Sequence, residues 1–312
     1  VGPVALIIPN WNGKQHLEVC LGSVAIQSTR PARTIVVDNG SSDGSLAYVG
    51  GRFPWVQCVS LPSNQGFAAA VNHGIKASQE EYVALLNNDT ELDPRWLEEM
   101  LDALSSDPVA GMAACKMLRF DDRSLIDAAG DAFTRGGSPV TLGSGEADGG
   151  SFNERRYVPG TCAGAAVYRR EMLTRIGLFD EDFVSYYEDA DLSLRAQIAG
   201  YRCIYVPTSV CYHKRGATAA RLRDFPVRMQ ERNLTALHLK NLPAAVLLKK
   251  GASFFGGRAR RLWRECMAGS GGAAIAGALQ GIALVPRMLR KRRHVLRLRT
   301  ESTEYILTLF GP

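Results

Sequence analysis

The chain has 312 residues, 46% of them hydrophobic and 22% charged, an ordinary globular composition that can bury a sizeable core and leave room for an appendage. Its net charge of +6 is uneven: residues 244–312 hold 13 Lys and Arg against 3 Asp and Glu, while residues 1–243 hold 24 against 28. Seven scattered cysteines make no Cys-x-x-Cys pair, which argues against a zinc knuckle or disulfide frame and for reduced, cytosolic thiols.

Val4-Ala5-Leu6-Ile7-Ile8 is an apolar β run closed by the turn cluster Pro9-Asn10-Trp11-Asn12-Gly13. With no basic leader or small-residue cleavage site before it, it is expected to be a first strand and not a signal peptide. The spacing of Leu17, Cys20, Leu21, Val24 and Ala25 predicts a helix over residues 16–27. A second strand, Thr34-Ile35-Val36-Val37, then runs into Asp38-Asn39-Gly40-Ser41-Ser42-Asp43-Gly44. Strand, helix, strand at this spacing implies a parallel pair with a crossover. No Gly-x-Gly-x-x-Gly follows the first strand, so a nicotinamide-linked oxidoreductase is not expected. Asp38 is either a good turn and cap residue or a carboxylate placed to accept hydrogen bonds from a base or a ribose. Asn64 and Gly66 open the small-residue helix predicted over residues 68–76, whose free N–H groups either are simply capped or face a ligand.

The next apolar run, Tyr82-Val83-Ala84-Leu85-Leu86, ends abruptly in Asn87-Asn88-Asp89-Thr90. Such a run reads first as a buried strand leaving the core through a polar turn. It also places Asp89 at a sheet's carboxyl edge, where open α/β sheets bind ligands. One carboxylate beside amide oxygens suits a hard divalent cation that shares its coordination with phosphate. An amphipathic helix follows over residues 93–104, then a strand over 111–117. Residues 120–156 are rich in Gly, Ser, Asp and Arg without periodicity and read as a functional loop or disorder. Residues 157–168 form a would-be strand with Gly160 and Gly164, glycines of the kind that mark close approach of a ligand or another backbone. Glu188, Asp189 and Asp191 crowd three acids into four positions. A helix N-terminus favours acids, and Asp191 can pair with Arg195 one turn on. The pair Glu188-Asp189 is left over, and clustered acids push one pKa upward, as a general base needs. A short strand over residues 203–207 and the run Val210-Cys211-Tyr212-His213-Lys214 follow, and His213 is either a packed strand-end residue or a metal ligand.

In this order the motifs resemble the family 2 glycosyltransferases of the GT-A fold, especially the bacterial rhamnosyltransferase-like branch. They are Ile8-Pro9-Asn10-Trp11-Asn12, Val37 to Gly44, Asn64-Gln65-Gly66-Phe67, Leu86 to Thr90, Phe179-Asp180-Glu181, Glu188 to Leu192 and His213, within residues 4–242. The resemblance implies a doubly wound, mostly parallel α/β sheet over residues 1–242, with a donor half near 1–118 and an acceptor half near 157–242. It implies donor contacts at Pro9, Asn10, Asn12, Asp38, Asn64, Gly66, Asn87 and Asn88, and acceptor-side positions at Gly160, Gly164, Glu188 and Asp191. Asp89 and His213 would bind Mg2+ or Mn2+, and Asp189 would be the catalytic base. Asn87 stands where the family often has a first acid, which implies a weaker, water-filled metal shell. The processive branch's Gln-x-x-Arg-Trp is absent, which favours addition of one sugar, and Gln230-Glu231-Arg232-Asn233 occupies the comparable region. The partners that the resemblance implies are a nucleotide-diphosphate sugar, dTDP-rhamnose for that branch, and a lipid-linked or cell-wall glycan acceptor. A sugar nucleotidyltransferase and a non-catalytic glycan- or lipid-binding scaffold are the alternatives.

Residues 243–312 mix bases with apolar residues around a charge-free, Gly/Ala-rich stretch, 268–285, that is too weakly apolar to span a bilayer. Interfacial helices on an anionic leaflet are expected, with Trp263 and Phe254/Phe255 as anchors, on the cytoplasmic side of the membrane. The plainer reading is a basic helical cap on the catalytic domain. Nucleic acid is not expected, since no recognised binding module precedes the bases.

Overall fold

The structure, a computed structural model, describes residues 2–214 and 224–311. Strand and helix alternate at first, as β1 (Val4–Asn10), α1 (Lys14–Ala25), β2 (Arg33–Asp38), α2 (Ser45–Arg52), β3 (Gln57–Ser60), α3 (Phe67–Lys76) and β4 (Tyr82–Leu86). β1 pairs in parallel with β2 and β4, and β2 with β3. Alternate strand residues face opposite helix layers, as the pleat demands. Leu6, Ile8, Val36 and Leu86 meet Leu17, Leu21 and Val24 of α1. Ile7, Ile35, Val37 and Leu85 meet Ala68, Val71 and Ile75 of α3. A sheet covered on both faces requires uninterrupted apolar runs, which is why these strands read that way in the sequence. Gly74 lets α3 sit close on the sheet, since a Cβ there would lie 2.4 Å from Ile7 Cγ2.

The chain then adds β5 (Thr90–Leu92), α4 (Trp96–Ser105), β6 (Ala110–Arg119), β7 (Ile126–Ala128), β8 (Asp131–Phe133), β9 (Pro139–Thr141), β10 (Arg156–Val158), β11 (Ala165–Arg169), α5 (Arg170–Ile176), α6 (Glu188–Ile198) and β12 (Arg202–His213). The main sheet runs β10-β12-β6-β11-β4-β1-β2-β3. β11 is antiparallel to both its neighbours, while β12 and β6 are parallel. The short strand over residues 203–207 and the run that carries His213 are one strand, with a register shift between Val206 and Val210. Pro207 has no N–H for the ladder, so the strand bulges there and continues. The would-be strand over residues 157–168 is two strands, β10 and β11, broken by the Pro159–Gly164 turn. The stretch expected to be irregular, 120–156, holds β7, β8 and β9 and is pinned by Lys116 Nζ on Asp148 Oδ1 at 2.6 Å.

The C-terminal region is helical: α7 (Phe225–Asn241), α8 (Ala244–Met267), α9 (Gly271–Ala283), α10 (Val285–Arg297) and α11 (Thr303–Thr308). The charge-free stretch packs against protein. A Cβ on Gly277 would lie 2.2 Å from the Arg228 carbonyl oxygen, and one on Gly281 2.7 Å from that of Arg232. Its small residues therefore let α9 lie backbone to backbone on α7. Lys291 of α10 pairs with Asp180 at 2.5 Å and Asp182 at 2.7 Å. Phe254, Met288, Ile306 and Phe310 join Phe133, Phe183, Leu194 and Leu237 in one apolar cluster. Phe254 is thus not a surface anchor; its ring stacks on His238 at 4.5 Å. Phe255 and Trp263 are exposed, at 79% and 66%. Among the described residues no single helix is long and apolar enough to cross a membrane.

Candidate active site

The carboxyl ends of β1, β2 and β4 lie side by side, so the residues just past them form one polar edge. Asn10 ends β1, donating to Asp38 Oδ1 at 3.1 Å and accepting from Asn88 Nδ2 at 2.7 Å. Asp38 accepts from Ser41 N at 3.1 Å, and Asn12 holds Ser42 N at 2.8 Å. Asn39 donates to Asn64 Oδ1 and to the Gly66 carbonyl, each at 3.1 Å. These amides and carboxylates bind one another, so the edge is rigid before any ligand arrives.

A cavity of about 910 Å³ opens against this edge. Pro9, Asn10, Asn64, Gly66, Asn87, Asn88 and Asp89 line one side, Gly164, Glu188 and Asp189 another, with His213 between the sequence-distant parts. That size suits a small-molecule or cofactor ligand. Asp38 and Asn12 stand behind the wall, where they hold the two turns together. Two expected acceptor-side positions lie elsewhere. Gly160 packs on Ser193, where a Cβ would come within 2.8 Å. Asp191 is 0% exposed and pairs with Arg195 at 2.9 Å and Lys240 at 2.8 Å, because it points from α6 toward α7 and away from the cavity.

His213 sits between two carboxylates, with Nε2 3.3 Å from Asp89 Oδ1 and Nδ1 2.7 Å from Asp127 Oδ2. Burial lowers the imidazole's pKa, but the hydrogen bonds to Asp127 and Asp89 outweigh it and raise the value to about 9. A carboxylate on the far ring nitrogen is the arrangement that orients a metal-binding histidine. Among the described residues no three metal-ligating side chains gather around one point. Asp89 and His213 therefore offer two ligands, which fits Mg2+ or Mn2+, ions that take one or two protein groups plus substrate phosphates.

The opposite wall is acidic. Asp189 Oδ1 accepts from Ala190 N at 2.8 Å and Oδ2 from Ala163 N at 3.3 Å. Burial nevertheless holds its carboxyl above the usual range. Glu188 is pushed up more strongly, first by burial and then by Asp189, and its Oε2 has no hydrogen-bond partner among the described residues. Asp131 lines the same cavity, and burial together with the Asp189 charge raises it to about 8. Such carboxyls are suited to moving protons near neutral pH.

The turn that delivers Glu188 and Asp189 is strained. Val184, Tyr186 and Tyr187 have φ of 64°, 68° and 69°, a region non-glycine residues avoid. Asn233 of α7 clamps it, donating through Nδ2 to the carbonyls of Phe183 at 2.8 Å, Ser185 at 3.0 Å and Tyr186 at 2.7 Å. Gly66 makes room for the turn, since a Cβ there would lie 2.6 Å from Val184 Cγ1. Within the motif Gln230 to Asn233, Gln230 lines the cavity, while Arg232 donates to the Asp182 carbonyl at 2.7 Å instead.

Sequence reasoning missed Asp127, Asp131, Asn39, Asn233 and Arg261. Asp127 and Asp131 lie in three-residue strands too short for a periodic signal. Asn233 had a signal, a polar residue in an otherwise buried helix. Arg261 lay among many tail bases.

Residues 5–177 match the family described as Glycosyl transferase family 2. The N-acetylglucosaminyl-diphospho-decaprenol L-rhamnosyltransferase of Mycobacterium tuberculosis is 30% identical over 226 residues, which cover 65% of this chain and 73% of that protein. The pre-mycofactocin glycosyltransferase of the same species is 30% identical over 227 residues, 72% of this chain and 45% of that one. Among solved structures, the mannosyltransferase PcManGT from Pyrobaculum calidifontis, in complex with GDP-Man and Mn2+, superposes with a TM-score of 0.56 at 20% identity, covering 95% of this chain and 86% of its own. GalNAc-T7 with UDP, GalNAc and Mn2+ superposes at 0.61 and 16% identity, covering 76% of this chain and 47% of its own. At such identities the superpositions speak for the GT-A fold.

Proposed function

Because the chain belongs to glycosyl transferase family 2, we propose that this inverting, nucleotide-sugar-dependent enzyme moves one sugar, L-rhamnose from dTDP-rhamnose, onto a lipid-linked or cell-wall glycan. The mycobacterial rhamnosyltransferase supports the choice of sugar and acceptor, since its name carries both. One observation carries the chemistry: Asp189, with its carboxyl held up by burial, faces the same cavity as Asp89 and His213.

In the proposed reaction Asp189 takes the proton of the acceptor hydroxyl as that oxygen bonds to the anomeric carbon. The bond from that carbon to the nucleotide diphosphate breaks on the opposite side, with inversion. A base of raised pKa is a better proton acceptor, and general-base catalysis contributes ~10²–10⁴-fold. Asp89 and His213 would hold Mg2+ or Mn2+, which when bound stabilises the departing diphosphate as a Lewis acid. Asn10, Asn64, Asn87 and Asn88 would receive the nucleotide, with Asp38 and Asn12 fixing that wall from behind. Gly164 and Glu188 would face the acceptor.

The outer faces of α8 and α9 would rest on the anionic, cytoplasmic surface of the cell membrane. Support comes from the exposed Leu248, Phe255, Trp263, Met267, Ile275 and Leu279, and from the exposed bases Arg260 and Arg264 of α8, with Arg290 and Arg293 exposed on the adjoining α10.

The test is Asp189→Asn, assayed with dTDP-rhamnose and Mn2+ and a polyprenyl-diphosphate-linked sugar acceptor. Turnover should fall ~10²–10⁴-fold while donor affinity is kept. A variant that retains full turnover removes Asp189 from the chemistry and the mechanism with it.

A further inference from the structure

We infer that Arg261, carried into the cavity by α8, holds the phosphate of an anionic, lipid-linked acceptor; the inference rests on the acceptor class proposed above. The other charged side chains of the described lining are the acids Asp89, Asp131, Glu188 and Asp189 and the His213 imidazole, which Asp89 and Asp127 already hold between them. An anionic acceptor entering such a space needs a cation to meet it. Among the described lining residues Arg261 is the only Lys or Arg.

Its charge is in surplus. Glu231, 0% exposed, lies 2.5 Å from Arg261 Nε and 3.5 Å from Arg258 Nε, so one carboxylate serves two guanidiniums. Arg258 turns its other nitrogens to Thr235 Oγ1 at 2.7 Å and the Glu231 carbonyl at 3.0 Å. Arg261 instead donates to Gln230 Oε1 at 2.8 Å and to the Tyr187 hydroxyl, both on the cavity wall. Gln230 and Tyr187 thus take one donor each and Glu231 lies against Nε as an ion pair, while a guanidinium has five N–H donors, a planar fork that suits phosphate.

The position favours the acceptor over the donor. Tyr187 directly precedes Glu188 and Asp189, so Arg261 stands on the acidic wall, whereas the donor diphosphate belongs with Asp89 and His213. α8 also has two roles by geometry. At 3.6 residues per turn, Arg261, Phe254 and Val246 fall on its inner side, and Leu248, Phe255, Trp263 and Met267 on the opposite side. The helix that presents an apolar stripe outward presents its cation inward. An ion pair alone does not explain this arginine, since burying one stabilises a fold little.

Farnesyl diphosphate and farnesol, lipids differing in the diphosphate, are the probes, with Kd measured by calorimetry with and without saturating dTDP and Mn2+. The wild type should prefer farnesyl diphosphate at least ~10-fold, a charge-assisted contact. Arg261→Gln should lose that preference and Arg261→Lys keep part of it, with dTDP affinity unchanged in both. Lys291→Gln, which loosens the helical region at Asp180 and Asp182 away from this cavity, should keep the preference whole. No preference in the wild type overturns the inference without any variant. So does a Gln variant that keeps the preference, one that loses dTDP in step, or a Lys291→Gln variant that reproduces the loss. Failure of dTDP to bind the wild type would instead sink the donor reading, and the farnesyl arms without nucleotide still decide Arg261.

Discussion

Asn233→Ala should separate stability from catalysis. Asn233 is 0% exposed, and its amide serves three carbonyls of the Phe183–Tyr186 turn. Two N–H groups sharing three acceptors amount to about two net bonds, each ~0.5–1.5 kcal/mol, so the direct loss is about 1–3 kcal/mol. Against this stands the strain of Val184, Tyr186 and Tyr187, at ~1–3 kcal/mol per left-handed residue. The strain exceeds what the lost amide contributed, so the turn relaxes and the rest of the fold stays. Global stability then drops by no more than the direct loss, a Tm shift of about 3 °C at ~2 kcal/mol for a chain of 312 residues. Turnover suffers more, since the turn carries Glu188 and Asp189 and a misplacement near 1 Å costs ~10²-fold. Thermal melts followed by circular dichroism and initial rates at saturating donor measure the two effects. A variant with unchanged turnover refutes the clamp, as does one whose activity falls only in proportion to its unfolded fraction.

Asp131→Asn tests the buried acids by pH. The carboxyl of Asp131 is raised from its ordinary 3.8 to about 8, so its stabilising, neutral form is fully present below 3.8 and lost as pH rises through about 8. The Asn variant is neutral throughout, so its Tm advantage over the wild type should grow between pH 4 and pH 8 and then level; an equal difference at pH 5 and pH 9 contradicts the assignment. For the membrane face, sedimentation with phosphatidylglycerol vesicles should exceed that with phosphatidylcholine and weaken with salt. The double variant Phe255→Ser, Trp263→Ser should reduce it ~10-fold or more, since each ring buries ~1.5–3 kcal/mol of apolar surface. Equal partitioning of the double variant and the wild type counts against that face.

Asp89 and His213 could be placed because each stands at the end of a strand whose apolar pattern fixes where it stops, while Asp189 was singled out only by the crowding of acids at a helix start; the structure brings all three to one cavity. The direction of Asp191 was legible too, since residues two apart on a helix do not share a face with Asp189. Crowding of acids drew it into the site; its partner Lys240 lies 49 residues away and leaves no local mark. Phe254 and Phe255 raise the same point, as neighbours on α8 cannot both face outward. The hairpin of β8 and β9 escaped because strands of three residues carry no period, so Asp131 could not be placed. The charge count of the C-terminal region described its outer surface. It said nothing of the inner side, where Arg261 and Lys291 meet acids of the preceding chain.

The close seating of α9 on α7 bears on how the protein can be handled. The charge pattern invites trimming after Leu242 to obtain a smaller enzyme. Such a cut would strip the cover from α7 along the line of Gly277 and Gly281, bare the apolar side of Leu237, and take the guanidinium of Arg261 from the pocket wall. The helical region is a wall of the reaction vessel, and a shortened enzyme would be left open on that side.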